Sequence, residues 1–578
     1  MPWLRPVPTV GDVTTAAQRA ADPAGWSMGE EVIGAFSRLV VARRDVRRFR
    51  PDPVPAETLR RVLEAAHAAP SVGHSQPWRF VLVTDPLTRQ RAATLADGQR
   101  LAQAAGMDEQ AARHLLDLDL EGIREAPLGI VVACDRRASA AGILGRATFA
   151  DTDLWSCACA IENLWLAARA EGLGVGWVTL FRPEDLAALV AAPEGVATLG
   201  WLCVGWPDER PPSPGLERRG WSARLPLDAV VVSERWPGAG APAPPRSRLA
   251  PPVPATLVAA RDEADRLLSA PRSLGLLDAA VDRLVALGVS TEGGCLVLAA
   301  ADHPVAALGV SAYDTSVTRE VAMAAVAGEA LGAVAAAGAG LELVVVDAGV
   351  AGGSVPGAVD LRAPDARGDL VHADALDPAS VKRLVAGGRA LGQERGRGRL
   401  VALGEVGIGN TTVGAALACG LLGLSPSDAV GLGAGADRAM LDAKQEAVSA
   451  ALSRLGGAPR SALELLAALG GPEVAVLCGV TLGVAGAGGV VVLDGLVTSL
   501  AALVAVREEP AVAAHLVPGQ RSREAAHPAV LAALGLEPLL DLRLRAGEGA
   551  GAAFAAGLLR HAVEVRAGTA RTAPPAHS

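Results

Sequence analysis

The sequence predicts two domains in tandem: an α+β domain with a modest sheet and helices packed around it, then an α/β domain with a mostly parallel sheet. Three observations support this. At 578 residues the chain is too long for one ordinary domain. From Trp236 to Pro254 it is dense in Pro, Ala and Gly, a composition that holds neither a helix nor a central strand and tends to extended geometry. The flanks also differ in rhythm, with mixed helices and few strands before this run and apolar strands alternating with helices after it. The expected organisation is a first domain at 26–236, a linker at 237–256 and a second domain at 257–566. The first ~25 and last ~12 residues are expected to be poorly ordered.

In the first domain, Pro55-Ala56-Glu57-Thr58 opens a helix whose Leu59, Val62, Leu63 and Ala66 share a face, with Pro70 past its end. Phe80–Val83 and Ile130–Ala133 read as strands. Asp151–Glu171 reads as a long helix with Leu154, Ala158, Ile161, Trp165 and Ala168 on one stripe and Gly172 at its end. Val175–Leu180 and Leu199–Val204 complete a modest sheet. In the second domain, strands are expected at Leu296–Ala300, Leu343–Val346, Leu400–Leu403, Val490–Leu493 and Leu539–Leu544. Helical patterns between them include Arg319–Ala337, Val413–Leu422 and Asp437–Leu455. This alternation predicts a parallel sheet covered on both faces, with ligands at the carboxyl ends of its strands. Val474–Leu493 carries no charge and contains a GxxxG at Gly479 and Gly483. Its interrupting glycines favour a buried helix, a turn and a buried strand over a membrane span.

A net charge of −9 argues against nonspecific nucleic-acid binding. Basic charge is almost all arginine; Lys382 and Lys444 are the two lysines. The seven cysteines form no Cys-x-x-Cys, so neither a disulfide framework nor a metal site is expected. Buried thiols in a reducing cytoplasm, with no signal peptide and no membrane partner, are the expectation.

Arg43, Arg44 and Arg47 suit a phosphate through forked, charged hydrogen bonds. Ser71, Val72 and Gly73 offer loop amides to the edge of a planar ring, Gln76 a further donor, Trp78 an aromatic face, and Gly145-Arg146 another cation. Pattern alone also fits a solvated helix end over Arg43–Arg50. Residues from about 30 to 236 resemble 5,6-dimethylbenzimidazole synthase of the nitroreductase-like flavoprotein superfamily. The resemblance rests on Arg43-Arg44-Asp45-Val46-Arg47, the Glu64–Gly73 segment, Gln76-Pro77-Trp78, Leu120–Leu128, Glu162–Gly172 and Gly174-Val175-Gly176-Trp177-Val178. It implies a homodimer that consumes reduced FMN with molecular oxygen and releases the benzimidazole, with NAD(P)H feeding a separate reductase. By position it makes Asp45 the acidic residue of flavin fragmentation, sets Arg43 beside the flavin and includes Gly176 and Trp177 in the cofactor site. The family's active-site serine falls at Thr179, which keeps the hydroxyl and adds a methyl. His74-Ser75 replaces an expected Phe-Met.

Downstream, strand Leu400–Leu403 runs into Gly404-Glu405-Val406-Gly407-Ile408-Gly409-Asn410-Thr411-Thr412 and then a helix. Such glycines let a ligand approach the backbone, a helix start favours phosphate, and Thr411 or Thr412 suits a cap. A purely structural turn fits equally. Residues from about 258 to 565 resemble nicotinate-nucleotide:dimethylbenzimidazole phosphoribosyltransferase. The supporting segments include Ala301-Asp302-His303, Gly309-Val310-Ser311, Asp494-Gly495-Leu496 and Gly547-Glu548-Gly549-Ala550-Gly551. The resemblance implies transfer of phosphoribose from nicotinate mononucleotide to the benzimidazole. Glu548 matches the catalytic base and Glu405 is a second acidic residue; Gly407, Gly409, Asn410, Thr411, Lys444 and Ser311 contact substrate. Gly431-Leu432-Gly433-Ala434-Gly435 stands where Gly-Arg-Gly-Thr-Gly is expected, losing a cation and a hydroxyl. The Gln520–His527 segment also departs from the family pattern. Arg438 and Arg521 are candidates to restore the charge.

The product of the first activity is the acceptor of the second, so the two resemblances support a bifunctional enzyme of cobalamin lower-ligand synthesis. The alternatives are a nitroreductase-type flavoprotein fused to a phosphoribosyltransferase of other base specificity, or to a degenerate ligand-sensing domain.

Overall fold

A computed structural model describes residues 14, 16–116, 122–234, 236, 247–250, 252–364, 367–431, 433, 437–457 and 459–572. The chain divides into two compact units, Trp26–Gly240 and a second made of Met1–Gly25 with Ala241–Ser578.

The first unit is built on four strands: β1 (Trp78–Val83), β2 (Leu128–Asp135), β3 (Gly174–Val178) and β4 (Val196–Gly205). They lie in the order β1-β2-β4-β3, antiparallel throughout, which leaves β3 at an edge. Alternation sends Ile130, Val132, Leu202 and Val204 to one face, against Val62 and Ala66 of helix Ala56–His67 and Ile161, Leu164 and Ala168 of helix Thr152–Ala170. Val131, Trp201 and Cys203 face the other way, towards Ala92, Ala93 and Ala96 of helix Pro86–Ala105. Gly129 is required there, because a Cβ would lie 2.0 Å from the Trp201 ring.

The second unit holds β5 (Ser290–Ala301), β6 (Glu342–Gly349), β7 (Val359–Asp360), β8 (Arg399–Val406), β9 (Val490–Leu493) and β10 (Leu516–Pro518), all parallel. Their order is β10-β9-β8-β5-β6-β7. The chain builds outwards from β5 in one direction, then returns to build from β8 in the other. In such sheets ligands bind outside the carboxyl ends of the strands near a reversal of this kind. Helices Asn410–Leu422, Pro472–Gly486 and Leu496–Glu508 cover one face, and helices Leu276–Leu287 and Ala550–Gly568 the other.

Several expectations are corrected. Leu539–Leu544 forms no strand: Pro538 precedes it, Arg543 has φ 55°, and only Leu540 makes an isolated bridge, to Gln520. The short strands β7 and β10 carry too few residues for a period to show. The helical pattern Arg319–Ala337 divides into Ser316–Val326 and Leu331–Gly338 around Gly328, whose φ is 80°. Together these form the one stretch among the described residues that is long and apolar enough to cross a membrane. Helix Pro472–Gly486, read above as a buried helix, is buried along nearly its whole length.

The described parts of the two end segments, expected to be poorly ordered, carry regular contacts. Helix Ala16–Ala21 forms, and Arg19 pairs with Asp262 at 2.7 Å. Near the other end, the Leu268 amide donates to the Ala570 carbonyl. Within the linker, 237–246 and 251 lie outside the described residues. The Arg248 amide donates to the Glu509 carboxylate at 2.8 Å, and helix Pro254–Asp265 begins before 257.

Candidate active sites

In the first unit the arginine-rich segment lies along edge strand β3. Asp45 bridges to Val175, and the Val46 amide donates to the Val175 carbonyl at 3.0 Å. Gly176 permits this approach, since a Cβ there would sit 2.4 Å from the Val46 carbonyl oxygen. The Trp177 amide donates to Asp45 Oδ1 at 3.2 Å, while Arg47 pairs with Oδ2. The carboxylate lies on the floor of an open cleft of about 980 Å³. Its side chain keeps 39 % exposure through the mouth, yet protein crowds it from below. Burial raises its pKa above the ordinary carboxylate value, against the pull of Arg47 and the Trp177 amide.

Arg43, Arg44 and Arg47 all line this cleft. Arg43 stacks over Trp165 at 4.5 Å and pairs with Glu162 at 3.6 Å. Arg44 Nε and Arg47 Nη1 are buried with no hydrogen-bond partner among the described residues. Donors left in that state fit an anionic ligand that supplies acceptor oxygens. The sequence reading missed Arg48, Arg218, Arg219 and Arg224 on the same cleft, and Glu209, which accepts the Arg47 amide at 2.6 Å. In a chain this rich in arginine, an Arg218-Arg219 doublet carried no signal.

The remaining assignments divide. Trp78 is a correction: its ring is 4 % exposed inside the core, with Nε1 donating to His67 Nδ1 at 3.1 Å, and presents no face to a ligand. Arg146 is another: it is buried and pairs with Asp153 at 3.0 Å, so its charge is committed internally. The Val72 amide already donates to Ser156 Oγ, and the Gln76 amide to Ser71 Oγ. Gly73, His74 and Gln76 all have positive φ, and a Cβ on Gly73 would lie 2.9 Å from the Leu144 amide nitrogen in the loop holding Gly145. That loop is a strained, interlocked turn, and none of Ser71–Trp78 lines the Asp45 cleft. Thr179 follows β3, is exposed, and does not line the cleft either. Trp177 binds Asp45 through its amide while its indole donates to the Leu199 carbonyl.

In the second unit a pocket of about 400 Å³ opens at the carboxyl ends of β8, β9 and β10. It brings together Glu405, Gly407, Asn410, Thr411 and Glu548, as anticipated, and adds Asp494, Gln520 and Glu524. Asp494 follows β9 directly, a position the strand-end rule points to. Gly547, Glu548 and Gly549 all have positive φ, at 65°, 57° and 76°. For glutamate this backbone is strained, and the strain aims its side chain at the pocket. Glu548 is wedged in place: its amide donates to the Glu405 carbonyl at 3.1 Å, and its Oε2 accepts the Gly332 amide at 2.9 Å.

Glu405 is hydrogen-bonded by Asn410, so Asn410 orients an acid as well as lining the pocket. Burial, reinforced by Glu473 and Asp494, pushes Glu405 up to about 8. Burial likewise lifts Asp494 to about 6, although it accepts from Gln520 and from the Ala552 amide. Behind the pocket, Glu473 is fully buried with neither oxygen hydrogen-bonded among the described residues, 3.3 Å from His303 Nε2. Lys444 is 4 % exposed and donates to Thr411 Oγ1 at 3.3 Å; burial lowers its pKa. Gly433 leaves room for it, since a Cβ there would sit 2.7 Å from Nζ.

Here too there are corrections. The helix cap is Gly409 rather than a threonine, and Thr412 Oγ1 is buried without a hydrogen bond. Ser311 accepts the Tyr313 amide and does not line the pocket. Arg521 lies 4.0 Å from Asp541, and neither it nor Arg438 lines the pocket. Leu432, Ala434 and Gly435 of the altered glycine loop lie outside the described residues.

These geometries define a two-domain enzyme with a separate cleft in each unit. The chain belongs to the nitroreductase family over residues 40–206 and to the phosphoribosyltransferase family over residues 249–574. It is 47 % identical over 190 residues to 5,6-dimethylbenzimidazole synthase of Rhodospirillum rubrum, covering 32 % of this chain and 89 % of the relative. It is 40 % identical over 322 residues to nicotinate-nucleotide–dimethylbenzimidazole phosphoribosyltransferase of Thermus thermophilus, covering 54 % of this chain and 95 % of the relative. The crystal structure of that Thermus thermophilus enzyme superposes with a TM-score of 0.51 at 38 % identity, over 55 % of this chain and 97 % of the other.

Proposed function

We propose that the chain carries out two consecutive steps of cobalamin lower-ligand synthesis. The first unit forms 5,6-dimethylbenzimidazole from reduced FMN. The second transfers phosphoribose from nicotinate mononucleotide to that base, giving α-ribazole 5′-phosphate. The observation that carries this reading is that each unit sets a carboxylate, Asp45 or Glu548, at the wall of its own cleft by backbone hydrogen bonds.

Reduced FMN supplies the ring system that becomes the base, with molecular oxygen as co-substrate and NAD(P)H acting through a separate reductase. Arg43, Arg44 and Arg47 hold its phosphate, using the buried donors that lack partners. Asp45, with its proton affinity raised, takes and returns protons at the cleft floor. Thr179 is the further hydroxyl of this reading. The exposed apolar face of helix Glu30–Ala42, with Val32, Ile33 and Phe36, supports a homodimer. Six buried thiols support a reducing cytoplasm as its location.

In the second unit, one benzimidazole nitrogen attacks the ribose anomeric carbon as its bond to nicotinate breaks. The electron pair of that bond returns to the pyridinium nitrogen, and Glu548 accepts the N–H proton from the other benzimidazole nitrogen. Glu405, protonated at neutral pH, adds no negative charge beside the anionic nucleotide.

The test is incubation of the full chain with FMN, a reductant, oxygen and nicotinate mononucleotide, with mass spectrometry for α-ribazole 5′-phosphate. Asp45→Asn is expected to bind FMN but form no benzimidazole, with ribazole formation restored by added base. Glu548→Ala is expected to accumulate the base, with transfer reduced about a hundredfold or more. Wild-type protein that consumes FMN without forming the base, or an Asp45→Asn variant of undiminished output, overturns the reading.

A further inference from the structure

The phosphoribosyl pocket is lined by four carboxyl groups, those of Glu405, Asp494, Glu524 and Glu548. A nucleotide that carries a phosphate needs cations there. Lys444 is buried behind Thr411, and the altered glycine loop offers none. Two arginines do line the pocket, Arg523 and Arg545. Neither guanidinium makes an ion pair or hydrogen bond among the described residues, whereas neighbouring Arg521 faces Asp541. Three of the four acids have internal donors: Asn410 for Glu405, Gln520 for Asp494 and the Gly332 amide for Glu548.

The backbone that presents Arg523 is fixed. The Arg521 amide donates to the Leu540 carbonyl at 2.8 Å. The Ser522 amide donates to His527 Nδ1 at 2.9 Å, leaving Nε2–H to donate to Ser499 Oγ at 3.0 Å. His527 is fully buried, and burial holds it down to about 4, so it stays neutral and keeps this tautomer at physiological pH. The same pocket is lined by Gly407, Ile408, Asn410 and Thr411 at the start of the 13-residue helix Asn410–Leu422, a second feature suited to an anion.

We infer that Arg523, assisted by Arg545, is the phosphate-recognition residue of this pocket and sets its preference for a phosphorylated nucleotide. The inference rests on the phosphoribosyl-transfer reading above and identifies the side chain that discriminates the phosphate. Arg523 lies two residues from Arg521, where the sequence suggested a replacement cation, and it lines the pocket whereas Arg521 does not.

The experiment compares wild-type full chain with Arg523→Gln, Arg523→Lys and Arg521→Gln. Arg523→Gln is expected to raise KM for nicotinate mononucleotide about tenfold or more, as loss of a charge-assisted contact does, with kcat and KM for the base within about twofold. Arg523→Lys restores part of the loss, and Arg521→Gln behaves as wild type. An unchanged KM for the nucleotide, or equal rises for nucleotide and base, overturns the assignment while leaving the transfer reading intact. A wild-type chain without turnover defeats the transfer reading instead. Calorimetric titration with nicotinate mononucleotide then decides the arginine separately: binding present in wild type and weakened in Arg523→Gln supports it. Equal binding, or none in wild type, overturns it.

Discussion

At the scale of single residues, the second unit separates its acids by surroundings. Glu405 has an ordinary value of 4.5 and is held at about 8, with burial the main cause and the buried neighbours Glu473 and Asp494 adding to it. The folded chain therefore binds this proton more tightly than the unfolded chain. Its contribution to stability is greatest in acid and is lost as pH rises from about 4.5 to about 8, with a slope of at most about 1.4 kcal/mol per pH unit. The same ionisation bears on activity, because a carboxylate at 405 repels the nucleotide's phosphate. In wild type, kcat/KM for nicotinate mononucleotide is expected to fall above about pH 8, whereas Glu405→Gln shows a flatter alkaline limb. A variant with the wild-type limb would assign that limb to Glu524, Lys444 or another group facing the pocket.

At the scale of elements, Glu548 depends on strands and helices that leave it space. A Cβ on Gly404, near the end of β8, would lie 2.7 Å from the Glu548 carbonyl carbon and from the Gly549 nitrogen. One on Gly332 would lie 2.2 Å from the Glu548 oxygen. These are backbone contacts, which cannot rotate away. Gly404→Ala is expected to displace Glu548 and lower kcat for phosphoribosyl transfer about tenfold to a hundredfold, with benzimidazole formation in the other unit unchanged. Undiminished transfer would show that the carboxylate tolerates the shift. Such a close approach across 144 residues of sequence was invisible in the sequence, although the Gly-Glu-Gly motif marked where to look. Helix Thr152–Ala170 was legible because its apolar stripe repeats, and β9 because an unbroken apolar run follows the Gly488-Gly489 turn. Two- and three-residue strands have no period, and Leu539–Leu544 looked like a strand because its leucines alternate with Asp541 and Arg543. The pocket residues were legible where a glycine-rich turn or a family motif framed them. Trp78 and Arg146 misled because residue type suggests a contact but does not say which way the side chain faces.

At the scale of the whole molecule, each unit has its own core. One is built on the four-stranded sheet, the other on the six-stranded sheet, and the main hydrophobic clusters stay within their own unit. Their stabilities are therefore separable. The sequence supplies a probe, since all ten tryptophans lie at or before Trp236 and nine of them between Trp26 and Trp236. Tryptophan emission consequently reports chiefly on the first unit, while far-ultraviolet circular dichroism follows the helices of both. On chemical denaturation the two signals are expected not to coincide. Saturating nicotinate mononucleotide at about 100 times its Kd should stabilise the second unit by about 2.7 kcal/mol, moving the dichroism transition and leaving the emission transition in place. FMN should move the emission transition together with the first unit's share of the dichroism change, leaving the second unit's share in place. Coincident transitions that shift together with either ligand would mean that the two units unfold as one, and that binding in one cleft is felt in the other.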